Sequence, residues 1–199
     1  TVPLGLTVRS KPRGAPYRTP PAYTIHPTRF VDQFTVIANY VELFLAKHGH
    51  PGPVGINLLE KVQLPNLASI YGAMLAGADY LLMGAGIPTQ IAAVLEKLTR
   101  HEAVSYRLDV QGAKPDDDFR IHFDPERLFP GIAQRVGGLR RPRFIPIVSS
   151  TVLASALVKR SEGAVDGFVV EGGGARGGRR TSPAPPPIPT RRARGSARA

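Results

Sequence analysis

Short apolar runs alternate with amphipathic helical segments along the middle of this chain, and that alternation constrains the fold more than any other feature. Val54–Leu58, Tyr80–Met83, Phe144–Val148 and Gly167–Val170 each read as a strand apolar on both faces. Between them, Leu67, Ile70, Tyr71, Met74 and Leu75 share a helical face, as do Ile91, Val94, Leu95 and Leu98. Thr151–Lys159 supplies a third crossover helix. Ahead of the first strand, Phe34, Ile37, Val41, Phe44 and Leu45 recur at helical spacing from Phe30 until Gly49 and Pro51, which predicts an amphipathic helix. Strands buried on both faces and separated by helices define an α/β protein with a parallel sheet of about four strands.

One insertion interrupts the pattern. Val104, Tyr106, Leu108 and Val110 alternate, then Phe119, Ile121 and Phe123, with Asp116, Asp117 and Asp118 between them. This predicts a β-hairpin projecting from the sheet. The three aspartates lack the Glu and Gly spacing of a calcium loop and read as a solvated turn.

Charge divides the 199 residues into three zones. Residues 1–29 hold five Lys/Arg and no acid, residues 30–171 hold 14 against 15 acids, and residues 172–199 hold seven Arg and no acid, for a net charge of +11. The first zone reads as a basic, Pro-rich leader, 30–172 as the folded domain, and 173–199 as a disordered Arg/Pro-rich tail. A phosphate-binding role for that tail would make the protein a nucleic-acid binder, but the tail lacks interleaved aromatics and the domain is near neutral. No run of 18 apolar residues predicts a membrane span, and the chain opens on Thr1 without the apolar core of a secretory signal. Cysteine is absent, so no disulfide or thiolate metal site exists. The default expectation is a cytoplasmic protein, and Thr1 predicts a fragment or a processed product.

In parallel α/β folds, functional groups gather where strands end. That rule selects Asn57 after the first strand, Met83 and Gly84 after the second, Ser149 and Ser150 after the third, and Glu171 after the fourth. Gly84-Ala85-Gly86, running into a helix that Pro88 opens, either presents backbone N–H groups to an anion or is simply a tight turn. The Asn57 amide either bonds the edge of a heterocycle or caps the next turn. None of the five histidines, His26, His48, His50, His101 and His122, falls at a strand end; His48 and His50 read as compensating a helix C-terminus. No catalytic triad, HExxH or phosphate-loop motif is present. The edge has a platform and no base.

Residues 52–65, Gly-Pro-Val-Gly-Ile-Asn-Leu-Leu-Glu-Lys-Val-Gln-Leu-Pro, and 71–88, Tyr-Gly-Ala-Met-Leu-Ala-Gly-Ala-Asp-Tyr-Leu-Leu-Met-Gly-Ala-Gly-Ile-Pro, carry a resemblance to a known family. Phe-Ile-Pro-Ile-Val-Ser-Ser (144–150) and Asp-Gly-Phe-Val-Val-Glu-Gly (166–172) extend it. Over about residues 30–172 the chain resembles the nitronate monooxygenase, or 2-nitropropane dioxygenase-like, family. The resemblance implies a TIM barrel that binds FMN at its strand C-termini and oxidises alkyl nitronates with O2, with a histidine as base toward nitroalkanes. By position Asn57 matches the family's flavin-contacting Asn, and Glu171 stands where many members have Gln. The runner-up of the same barrel type is an NAD(P)H-dependent enoyl-thioester reductase.

The chain departs from the family in three places. The first two strands with their Gly-Gly-Met turn, and the last two with their phosphate-binding glycines, have no counterpart, so the barrel would be incomplete and unable to hold FMN or turn over. Both sheet edges would be open, which predicts poor solubility or self-association. The family's Ala-Gly-Gly-His, which bears the base, is replaced after Glu171, and no histidine follows His122. Codons GGC-CGG-CGG-ACA-TCN for Gly178–Ser182, shifted by one base, read Ala-Gly-Gly-His, which predicts a frameshift near Gly172. Oligomeric state is not legible.

Overall fold

The computed structural model describes residues 19–171. The tail from 172 onward and the first 18 residues of the leader lie outside them. Residues 19–28 of the leader form no helix or strand, yet Ile25 packs against the core and the Tyr23 hydroxyl donates to Asp32 at 2.7 Å. Thr28 then caps α1 (Arg29–Lys47), its Oγ1 accepting from the Val31 N–H. Beyond the helix, Gly49 takes φ +84° and Pro51 prevents continuation. The His50 ring donates from Nε2 to the last-turn carbonyl of Ala46 at 2.6 Å, the C-terminal role its spacing predicted.

The first crossover unit is β1 (Gly55–Leu59), α2 (Asn66–Leu75) and β2 (Tyr80–Gly84). After α3 (Ile91–Leu98) comes the hairpin of β3 (Val104–Arg107) and β4 (Arg120–Phe123), then two short helices, α4 (Pro125–Leu128) and α5 (Ile132–Val136). The sheet resumes with β5 (Arg143–Val148), α6 (Thr151–Arg160) and the two-residue β6 (Val169–Val170). The main sheet is parallel throughout, in the order β1-β2-β5-β6. Each strand therefore lies beside its predecessor in chain order, with no reversal among the described residues.

Ile56 and Leu58 of β1, Leu81 and Met83 of β2, and Phe144 of β5 face the helices and join one apolar cluster with Leu67, Ile70, Tyr71 and Met74 of α2 and Ile91 and Leu95 of α3. Helix α2, expected to bury one face, is buried on nearly all sides, because the sheet covers one flank and α1 the other. The approach is closest at Gly72, where a side chain would run into the Val36 carbonyl of α1.

Two expectations change here. The α1 face that packs inward carries Val31, Val36 and Leu43, whereas Phe34, Val41, Phe44 and Leu45 stay exposed, with Ile37 only partly covered. Nor does the hairpin project: Val104, Tyr106, Ile121 and Phe123 form its apolar face and are buried in the main core. Burying that face against Tyr71, whose ring lies 5.4 Å from that of Phe123, removes it from water. At its far end Asp118 pairs with Arg120 at 2.7 Å and with Arg107 at 3.8 Å, and Asp117 accepts from the Lys114 N–H.

Candidate functional site

The strand register decides which predicted residues share a surface. Asn57 pairs with Leu82, Leu82 with Ile145, Leu59 with Gly84, and Ile147 with Val169. Because side chains alternate along a strand, these residues lie on the face opposite the helices. Continuing the same alternation puts Ser149 and Glu171 on that face, at the ends of β5 and β6, where the Glu171 N–H donates to the Val148 carbonyl at 2.9 Å. Asn57, Ser149 and Glu171 are exposed there. An apolar floor of Leu59, Leu82, Ile145 and Ile147 accompanies them.

Met83 does not join them. It is one step out of phase with Leu82 and Gly84, so its side chain is fully buried in the helix-side core. Asn57 also sits otherwise than expected: β1 continues to Leu59, so the amide is the middle residue of the strand, on its open face, and neither follows the strand nor caps a turn. Gly84 ends β2, and its carbonyl accepts from the Glu60 N–H at 2.8 Å. The turn after it holds Ala85 at φ +57° but does not run into a helix. Helix α3 starts only at Ile91, with Gln90 at its cap and no side-chain cap bond, so Pro88 lies ahead of the helix and no helix dipole is directed at the glycines. Ser150 is committed as well, its hydroxyl capping α6 through the Leu153 N–H at 3.2 Å.

Residues outside the sequence-based selection complete the edge. Glu60 follows β1 and lies against Gly86, where any side chain would collide with its carboxylate. Its Oε1 accepts from the Tyr106 hydroxyl at 2.8 Å and from Gln63 Nε2 at 3.2 Å. Burial, and then the adjoining Glu60 carboxylate, push the Tyr106 hydroxyl upward, so it stays a protonated donor. Gln63 Oε1 takes the Asp109 N–H, and the Gln90 amide makes both bonds to the Arg107 backbone, at 2.9 and 3.2 Å. These bonds fasten the hairpin beside the ends of β1 and β2, leaving a cleft of about 580 Å3 lined by Glu60, Gln63, Gln90, Arg107, Asp109 and Lys114. The sequence signal for Glu60 was its place one residue beyond the true end of β1.

No described histidine reaches this edge. His101 is buried at the far end of α3, where its Nε2 lies 2.7 Å from the Gly137 carbonyl and its Nδ1 2.7 Å from the Tyr71 hydroxyl. A carbonyl only accepts, so Nε2 carries the proton and Nδ1 accepts from Tyr71. Both ring nitrogens are thereby used in holding the core. His122 lies exposed on the hairpin. Among the described residues no cluster of His, Asp or Glu is arranged to hold a metal ion, and no helix is long and apolar enough to cross a membrane.

The fold and the edge define an α/β protein with a parallel sheet whose second face is left uncovered by the described residues at its C-terminal end. Compared with protein-family models, curated proteins and solved structures, the chain matches none.

Proposed function

We propose that this chain carries the ring-binding part of the flavin site of a cytoplasmic FMN-dependent nitronate monooxygenase acting on nitronates and O2, and that this part alone still binds the flavin ring, where the missing strands predict a fragment that neither holds FMN nor turns over. One observation supports the reading above all: Asn57, Gly84, Ser149 and Glu171 share one open face at the C-terminal edge of strands that follow one another without reversal. That order suits a sector of a TIM barrel, whose ligands bind at the strand C-termini, better than a doubly wound sheet, whose site lies where the order reverses.

The described residues fit the flavin ring and not its phosphate. Leu59, Leu82, Ile145 and Ile147 offer a flat apolar floor, and the Asn57 carboxamide offers a donor and an acceptor to a heterocycle edge. Glu171 places a carboxylate at the open face, where it would repel a phosphate, and among the described residues no helix N-terminus faces Gly84. Bound FMN would supply the electron transfer between nitronate and oxygen. Asn57 would orient the ring, and the apolar floor would exclude water beneath it.

A nitronate is already the conjugate base of a nitroalkane and needs no proton removed, whereas the neutral nitroalkane does. Without a histidine at the edge, the FMN-loaded chain should be reduced anaerobically by propane-2-nitronate and at least ~100-fold more slowly by 2-nitropropane, the range general-base catalysis contributes. Stopped-flow photometry of the flavin reads both rates. Reduction by NADPH and not by the nitronate would overturn the proposal in favour of an enoyl-thioester reductase. Equal rates with both nitro compounds would show that a base is present.

A further inference from the structure

The exposed face of α1 is ordered as a helix-pairing seam. Phe30, Phe34, Ile37, Val41 and Phe44 follow one another in steps of 4, 3, 4 and 3 residues, the spacing that keeps one stripe turned toward a second helix. All but Ile37 are between 42% and 60% exposed, and Leu45 beside them is 61% exposed. The Phe30 and Phe34 rings stack at 6.0 Å and those of Tyr40 and Phe44 at 5.8 Å, so the aromatics lie along the stripe already arranged. The opposite stripe is satisfied by α2, so this one has no partner among the described residues.

From this we infer that α1 pairs with α1 of a second copy of the chain, antiparallel across a two-fold axis. The inference is independent of the flavin reading. Three observations favour a second copy over other occupants. First, the stripe is self-complementary: with Phe34 set against the copy's Phe44, Ile37 meets the copy's Val41, and the two-fold axis repeats both layers. Second, the seam can be dried without stranding a charge. Its flanks hold Gln33, Ala38 and Tyr40, and Lys47 at its end is already paired with Asp79 at 2.7 Å. Third, the area suffices: half-exposed aromatics plus Leu45 and Val41 leave on the order of 500 Å2, at the upper end of what a monomer carries. Two such stripes bury on the order of 1,000 Å2, the lower bound for a specific interface. Antiparallel pairing also sets each helix dipole against its opposite.

The test uses the absence of native cysteine. Ala38, exposed beside the centre of the seam, is replaced by cysteine, and Lys114 in the hairpin loop is replaced likewise as the control. Light scattering on the eluting protein should give twice the 21.4 kDa chain mass. Mild oxidation should then crosslink A38C and not K114C. Phe34→Glu, a change at an exposed position, should raise the dimer dissociation constant by ~100-fold or more while leaving the circular dichroism spectrum unchanged. A monomer at high micromolar concentration overturns the proposal. So does an oligomer indifferent to Phe34→Glu, or one that crosslinks equally through residue 114, since either would point to β1 and β6, the outer strands of the sheet among the described residues.

Discussion

Gly72→Ala should destabilise the protein by ~3 kcal/mol, although helix propensity alone predicts a gain of about 1 kcal/mol for the same change. Position 72 lies inside α2 at its crossing with α1. A methyl group there meets the Val36 carbonyl head on, and Asn39 Cβ and the Val36 carbonyl carbon both stand 3.1 Å from where it would lie. Two of these atoms are backbone, so no rotamer change relieves the collision and α1 must lift away. That movement would uncover Val36 and Leu43, both buried between α1 and its neighbours. Urea unfolding of the variant tests this through the sign of the effect: a midpoint above that of the parent would mean the helices do not cross there.

Asp79→Ala should cost ~1–2 kcal/mol, because it removes the acceptor of the part-buried Val54 N–H and unpairs two cations that remain partly in water. Asp79 opens the approach to β2. Its Oδ2 accepts from Lys47 Nζ at 2.7 Å and from the Val54 N–H at 2.8 Å, and its Oδ1 accepts from Arg140 at 2.6 Å. One side chain thereby ties the end of α1, the start of β1 and the segment entering β5. These bonds, the one from Lys47 foremost, hold its carboxyl far below the usual aspartate range. Asp166 is lowered too: burial works against it, but Arg141 and the Phe144 N–H outweigh that.

A carboxyl whose folded-state pKa is depressed contributes stability that is complete above its unfolded value and lost as pH falls through the folded one. The parent should therefore hold its stability down to pH ~4, the ordinary aspartate value, and lose it progressively below. Asp79→Asn should be less stable at pH 7 and show a shallower loss between pH ~4 and ~2. Parallel acid dependences in the two proteins would remove Asp79 from this role.

The elements themselves were legible because their periodicities are strong. Tyr80–Met83 and Phe144–Val148 are apolar without interruption, and both became central strands extended by a single residue. The orientation of α1 was not legible, because the helix carries two apolar stripes and periodicity finds the more aromatic one. What selects Val31, Val36 and Leu43 for the inside is the narrow place at Gly72, some thirty residues away in sequence, which admits a backbone and no bulky ring. The hairpin was visible in its alternation, but its docking depends on Tyr71 and on bonds from Glu60, Gln63 and Gln90, whose partners lie 17 to 46 residues distant. At the candidate site, a one-residue error at the end of β1 hid Glu60. Period-two phase, applied from Asn57 through the register, would have separated Met83 from its neighbours.

The most direct test of the account is the binding of FMN and of riboflavin, its phosphate-free counterpart, to the 199-residue chain and to Asn57→Ala, followed by flavin fluorescence. With a ring platform, no phosphate cradle and a carboxylate at the edge, both flavins should bind saturably, riboflavin at least as tightly as FMN. Loss of the Asn57 amide should weaken both by about tenfold, the equivalent of one hydrogen bond. Absence of saturable binding, or binding that Asn57→Ala leaves unchanged, would contradict a flavin site on the open face of this sheet.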